Sequence, residues 1–405
     1  MLFKDVVGQQ NVKQHLAEMV QHNRLSHALL FLGKEGTGGL PMALAFAQYI
    51  VCEKVNPKSA SQPVGPSLFG FDEPAIAAPD ETVYFDACGV CAACTKSRQL
   101  VHPDIHFSYP VIPKKSGSSP KSSDYAADWR EFIRQQPYGN AYDWLQFIGA
   151  ENKQGNITAE ECNDIIRQLS LKSFESEYKI LLMWMPEYLG KEGNKLLKLI
   201  EEPPANTLFI LVAEKEEQIL QTILSRTQLV KLPLLNNIDI EEALIQRSET
   251  PPQQAKMVAR ISEGNFHEAL QLLQHAGEDW LTMLREWMNA SVKAGPAAQV
   301  KWVDEAAKMG REKQKQFLQY FIHTLEQCIR LRIMGAGHIT LAEKELDFAQ
   351  RINKISSVTQ QQAIISELDN ATYYIERNAN AKMLFLALTI KMQHVIKDKI
   401  VVSAV

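Results

Sequence analysis

A glycine-rich turn set between a short apolar run and a helical stretch constrains this chain more than any other feature. Gly33-Lys34-Glu35-Gly36-Thr37-Gly38-Gly39-Leu40 follows the β-like run 27–32 and precedes a helical pattern over 41–52. A strand, a tight turn and a helix in that order open a parallel α/β sheet, and the turn is where such a sheet binds phosphate. Similar runs recur at 105–109, 179–185, 207–213 and 229–232, alternating with helical patterns. The first half is therefore expected to be α/β with a parallel sheet. Past Pro233 the strand signals stop and helices take over. Within 315–334, Leu318, Phe321, Ile322, Leu325, Cys328 and Ile329 recur at helical spacing, and Gly335 supplies a stop. The stretch 383–396 is apolar on more than one face, the mark of a helix buried among others or against another subunit.

Two segments interrupt the α/β half. Residues 53–87 carry Pro57, Pro63, Pro66, Pro74 and Pro79 and few periodic positions, which predicts a long surface excursion. Residues 110–155 begin as a Pro/Ser/Lys loop and continue with Tyr125, Trp129, Phe132, Ile133, Trp144 and Phe147 at spacings that suggest two short amphipathic helices. Exposed aromatic patches are rare, so these rings are expected to form a small core of their own.

The turn has the position of a phosphate loop without its chemistry. In the working pattern, G-x-x-x-x-G-K-[ST], the lysine reaches the β- and γ-phosphates and the hydroxyl holds Mg²⁺. Here those places are Gly39 and Leu40. Lys34 sits on the entry side of the loop and cannot stand in. The carboxylates that should follow a later strand, one for the metal and one for water, are replaced by Trp184 and Met185 after Ile180-Leu181-Leu182-Met183. Glu187 lies two residues further on, where it is expected to face another direction. Without those charges nothing offsets a triphosphate, so ATP hydrolysis by this chain is not expected. Gly33, Gly36, Gly38 and Gly39 remain as a vestigial loop that could still shape a nest for a phosphate.

Size and charge narrow the setting. At 405 residues the chain exceeds one ordinary core, which predicts two or three domains. No apolar run approaches the roughly eighteen residues of a membrane helix, and the first residues carry no basic-then-apolar signal, so a cytoplasmic protein with no membrane partner is expected. A net charge of -4 argues against a chain that grips nucleic acid over its whole surface, although lysines within 110–121 could touch DNA locally. Cysteine usage points to metal in a reducing compartment: Cys88-x-x-Cys91-x-x-Cys94 offers three thiolates in one tight turn, and zinc takes four ligands. Cys52, His102 and His106 are the candidates for the fourth. Cys162 and Cys328 fall on predicted helices as core residues.

Several further segments occur in a recognisable order. They are Phe3-Lys4-Asp5-Val6-Val7-Gly8-Gln9-Gln10, Ser26-His27-Ala28-Leu29-Leu30-Phe31, the altered loop, the cysteine cluster, Leu196-Leu197-Lys198-Leu199-Ile200-Glu201-Glu202-Pro203-Pro204, and Thr222-Ile223-Leu224-Ser225-Arg226. In this the chain resembles the AAA+ subunits of bacterial sliding-clamp loaders, from residue 3 to about residue 270. The lost loop chemistry places it with the stationary, delta-prime type rather than the gamma/tau motor. The resemblance implies an AAA+ base over 1–233, with a zinc module at 52–94 and insertions at 53–87 and 110–155, a helical lid over 234–277 and an all-α collar over 278–405.

The same resemblance implies roles for particular residues. Arg226 of Ser225-Arg226-Thr227 would reach across a subunit interface to the γ-phosphate of a neighbour's ATP, a task suited to a permanently charged guanidinium. Thr227 departs from the family's usual Cys. In Gly264-Asn265-Phe266-His267-Glu268-Ala269-Leu270, His267 stands where the family has a nucleotide-contacting Arg, so it is expected to be a surface or lid-packing residue. Cys52, ending the helix after the loop, would be the fourth zinc ligand. The expected function is that of a non-hydrolysing stator within the DNA polymerase III holoenzyme. Its partners would be gamma/tau and delta subunits and, through the assembly, the sliding clamp and primed DNA. The competing reading is a gamma/tau-like ATP-binding motor with a divergent site.

Overall fold

Five parallel strands carry the first part of the chain: β1 (Ala28–Leu32), β2 (Ile105–Ser108), β3 (Lys179–Trp184), β4 (Thr207–Ala213) and β5 (Gln228–Lys231). They lie in the order β2-β3-β4-β1-β5, so β1 sits inside the sheet and β5 at one edge. The computed structural model describes residues 1–56, 85–114, 119–150, 155–274, 280–293, 295–335, 343–376 and 379–397. Most of the excursion at 53–87 therefore lies outside the described residues. Each expected strand is present to within a residue at its ends, because a parallel strand covered on both faces must be apolar along its whole length. In β3 and β4 every residue is buried.

Strand side chains alternate between two cores, as a two-residue repeat requires. Leu29, Phe31, Ile180, Leu182, Leu208 and Ile210 face the helix Gly39–Val51, while Leu30, Leu181, Met183, Phe209 and Leu211 face the helices Ala159–Ser170 and Leu197–Glu201. The helix Gly39–Val51 is buried from Leu40 to Val51. It has no polar face because the sheet lies on one side and the helix Ala92–Arg98 packs on another.

The segment 110–155 closes on itself. An isolated antiparallel bridge joins Val111 to Asn156, and between them lie the helices Ala126–Gln135 and Ala141–Phe147. Trp129, Phe132 and Trp144 are fully buried together, with Tyr109 stacked on Trp129 at 4.0 Å between ring centroids. Trp144 donates from Nε1 to the Pro110 carbonyl at 2.7 Å, tying the cluster to the start of the segment. The rings form an internal core, and only Phe147 stands at its margin.

The described residues divide into two compact units, Met1–Thr250 with Glu263–His267, and Pro251–Ser262 with Glu268–Val405. The region 234–277 read as a lid is thus shared between them. The second unit is helical among its described residues. Its core joins Trp287 and Trp302, stacked at 4.6 Å, to Phe317, Phe321 and Phe385. Trp287 Nε1 donates to Thr389 Oγ1 at 2.9 Å on the helix Ala381–Lys397, whose Phe385, Leu388, Met392 and Ile396 are buried. The helix Arg311–Met334 stops at Gly335 with φ of 80°, a backbone that favours glycine. Cys162 and Cys328 are buried in the two units, and burial pushes their thiols up to about 11 and about 12.

Replacing Trp129 by Ala should lower the stability of the first unit by about 3–5 kcal/mol, as for other buried tryptophans. Urea unfolding followed by circular dichroism measures this; a wild-type midpoint would show that the cluster is not part of the cooperative core.

Candidate functional site

The loop between β1 and the helix Gly39–Val51 turns through two left-handed glycines. Gly36 and Gly38 have φ of 73° and 90°. Thr37 between them is buried, and its hydroxyl donates to the Lys34 carbonyl at 2.7 Å. Gln9 Nε2 donates to the carbonyls of Thr37 at 3.1 Å and Pro233 at 2.7 Å, stitching the loop to the end of β5. The Gly36 carbonyl accepts from Phe266 N–H at 3.1 Å. A Cβ on Gly36 would fall 1.8 Å from Asn265 Oδ1, so only glycine fits there.

The space in front of this loop is nearly filled. Its cavity measures about 30 Å³, room for about two waters, against about 300 Å³ at the small end of ligand pockets. Leu40, Pro137, Tyr138, Gly139, Trp184 and Met185 line it, and its charged lining residues are Lys34 and Glu214. Lys34 points to solvent. Trp184, in the expected acid position, packs on Trp129 at 5.3 Å and Phe132 at 6.2 Å. Met185 beside it is buried. Tyr138 comes from the insertion, accepts from Val7 N–H at 2.8 Å and meets Phe266 edge-on at 4.8 Å. Burial holds its phenol above the ordinary range. Pro137, Tyr138 and Gly139 were not singled out from the sequence; the Pro-Tyr-Gly turn between two aromatic helices was the one available signal.

Glu187 faces away, as its spacing predicts. Its Oε1 accepts from the N–H groups of Glu214 at 2.6 Å and Lys215 at 2.9 Å, and burial pushes its carboxyl up. His267 is 6% exposed, so it is a packing residue and not a surface one. Its Nε2 lies 3.3 Å from Asp143 Oδ2 on the insertion and 3.7 Å from Glu35 Oε1 on the loop.

Arg226 stands just before the edge strand β5 and is partly exposed, as is Ser225. Its guanidinium pairs with Glu201, and Nη1 donates to Thr222 O at 2.8 Å and Ser225 Oγ at 3.0 Å. Among the lysines of 110–121, Lys114 lies over the Tyr125 ring at 4.4 Å and Lys121 pairs with Glu160 at 3.2 Å. Both cations already have partners within the chain.

Cys52, Cys88, Cys91 and Cys94 come together with their sulfurs all within 4.8 Å of one another, a group that could hold a metal ion. His102 and His106 are not in that group; His102 Nδ1 instead accepts from Asp104 N–H at 3.2 Å. The sulfurs are already arranged to carry negative charge. Cys52 Sγ accepts from Cys88 N–H at 3.3 Å, Cys88 Sγ from Cys91 N–H at 3.4 Å, and Cys91 Sγ from Cys94 N–H at 3.4 Å. A hydrogen bond with Cys94 brings the Cys52 thiol down to about 4, while the same contact drives the Cys94 thiol up. A metal ion bound by the four sulfurs would take the place of their thiol protons.

A five-stranded parallel sheet with a glycine-rich loop between β1 and a buried helix, a nearly filled space in front of that loop, an arginine just before the edge strand and a cluster of four cysteines make up the α/β base. The chain belongs to the family described as DNA polymerase III, delta subunit, whose profile matches residues 8–64 and 75–236. It is 26% identical to the DNA polymerase III subunit delta' of Bacillus subtilis (strain 168) over 265 residues, which is 65% of this chain and 59% of that protein. The chain thus spans less than two thirds of that relative. Subunit delta' of Escherichia coli (strain K12) is 23% identical over 397 residues, 96% of this chain and 95% of the relative. Subunit tau of Bacillus subtilis (strain 168) is 24% identical over 284 residues, 68% of this chain and 37% of tau. A solved gamma subunit-related protein from Thermotoga maritima covers 93% of this chain and 99% of its own at 13% identity, with a TM-score of 0.36, too low to add an argument. The α/β base followed by helices expected from the sequence is the fold observed. No helix among the described residues is long and apolar enough to cross a membrane.

The cysteine geometry predicts one transition-metal ion per purified chain by elemental analysis, lost in Cys88→Ser. Equal metal content in the two proteins would show that the thiols do not bind it.

Proposed function

We propose that the chain is a delta-prime-type stator of a bacterial sliding-clamp loader, a cytoplasmic protein that leaves ATP turnover to its neighbours. One observation carries the reading: the chain's own triphosphate space is occupied by Leu40, Tyr138, Trp184 and Met185. A triphosphate brought there would meet indole and thioether in place of lysine and Mg²⁺, and electrostatic stabilisation is the main thing such a site supplies. The base over 1–233 would then serve a neighbouring site. Arg226, at the sheet's edge, is the residue placed to do so in trans, with Ser225 beside it. The regions 234–277 and 278–405 act as lid and collar. Gamma/tau and delta subunits are the partners, with the clamp and primed DNA reached through the assembly, as a component of the DNA polymerase III holoenzyme.

The metal is zinc in a structural role. Tetrahedral Zn–S bonds of about 2.3 Å set sulfurs about 3.8 Å apart, and Cys88 Sγ lies 3.9 Å from Cys94 Sγ. Zinc there would lock the end of the helix Gly39–Val51 to the helix Ala92–Arg98.

The competing reading, a gamma/tau-like motor with divergent chemistry, draws on the positive φ values kept at Gly36 and Gly38. Titration with labelled ATP separates the two. The stator shows no saturable binding and no phosphate release, and Mg²⁺-dependent turnover by the isolated chain would sink it. In the reconstituted complex with gamma/tau and delta, Arg226→Ala should slow DNA-stimulated hydrolysis, by up to about 10³ at the one site it serves. Unchanged turnover would refute the finger.

A further inference from the structure

The motif Glu201-Glu202-Pro203-Pro204 has no task in the reading above. Its first residue ends the helix Leu197–Glu201 and meets Arg226 across a separation of 25 residues. Arg226 Nε donates to Glu201 Oε1 at 2.5 Å, and Nη2 pairs with the same oxygen. Nη1 donates to the Thr222 carbonyl and to Ser225 Oγ. A guanidinium has five N–H donors in a planar fork. Four are committed by these contacts, and one on Nη2 is left over. Acceptors therefore hold the group from two sides, a neutral pair at Nη1 and a carboxylate along the Nε edge.

The side chains of Arg226 and Glu201 are 33% and 44% exposed, so the pair adds little to stability. Its effect is on direction. A long arginine left to itself samples many rotamers, and all but one must be given up when it meets a phosphate. Pre-ordering moves that cost out of the encounter, which is the sense in which a fixed donor outperforms a mobile one.

We infer that Glu201 is the positioning residue for Arg226, holding the guanidinium in the rotamer in which it meets a neighbour's γ-phosphate. The inference rests on the reading of Arg226 as a finger in trans. Because Glu201 takes the Nε edge, the remaining Nη2 donor is the one the phosphate would claim first. The motif then supplies the carboxylate that aims the finger, and Pro203 and Pro204 end its helix there.

The test is DNA-stimulated ATP turnover of the reconstituted complex at varied ATP. Glu201→Ala should lower kcat by about three- to tenfold with KM for ATP within about twofold, the pattern of a lost transition-state contact. Glu201→Gln keeps an acceptor and should recover most of the rate. In an Arg226→Ala background Glu201→Ala should cost nothing further, and the thermal midpoint of the isolated chain should not move. A wild-type or faster rate for Glu201→Ala while Arg226→Ala is slow overturns the positioning role, as do losses that multiply in the double variant. If Arg226→Ala turns over normally, the finger itself falls and Glu201 with it.

Discussion

The indole of Trp184 at the end of β3 is the contact on which the rest of the base is organised. A carboxylate there would need metal or water in front of it. An indole needs apolar neighbours, and Trp129 and Phe132 of the 110–155 segment supply them. That segment is thereby drawn over the carboxyl end of the sheet. Its turn at Pro137-Tyr138-Gly139 comes to rest against Gly38, where a Cβ would lie only 3.2 Å from the Tyr138 ring. In physical terms the indole at the end of β3 and the aromatic minicore depend on each other. Burying Trp184 would be costly without the minicore, and the minicore would have no seat beside a hydrated metal.

How much of this was legible in the sequence depends on how local each feature is. The strands could be read because double-sided burial demands unbroken apolar runs such as Ile180-Leu181-Leu182-Met183. The thiols of Cys88, Cys91 and Cys94 could be read because their ligand spacing lies within one turn. Cys52 came from family resemblance, since spacing alone left His102 and His106 open. Tyr138 could not be read: nothing in the sequence says that a turn far along the chain will return to Gly38. Nor did the pairing of Glu201 with Arg226 have a local signature. For His267 the sequence left surface and packing positions open, because its neighbours Asp143 and Glu35 lie far from it in sequence.

The glycine-rich loop after β1 ties several of its polar groups to the chain around it. Buried backbone polar groups of such a turn need partners within the chain. Here Thr37 N–H and hydroxyl both turn back to Lys34 O, Gln9 covers the Thr37 carbonyl, and Phe266 N–H covers the Gly36 carbonyl. Asn265 fills the place beside Gly36. Each of these contacts belongs to the chain itself.

This has a consequence for motion. A ligand can shift a conformational equilibrium only by as much as it binds one state better than another. With a cavity of about 30 Å³ in front of the loop, the described conformation has no room for a triphosphate. On the proposed stator reading, such a base would hold its geometry through a neighbour's ATP cycle, and Arg226, carried beside β5 and the helix Leu197–Glu201, would keep its position while the neighbour turns over.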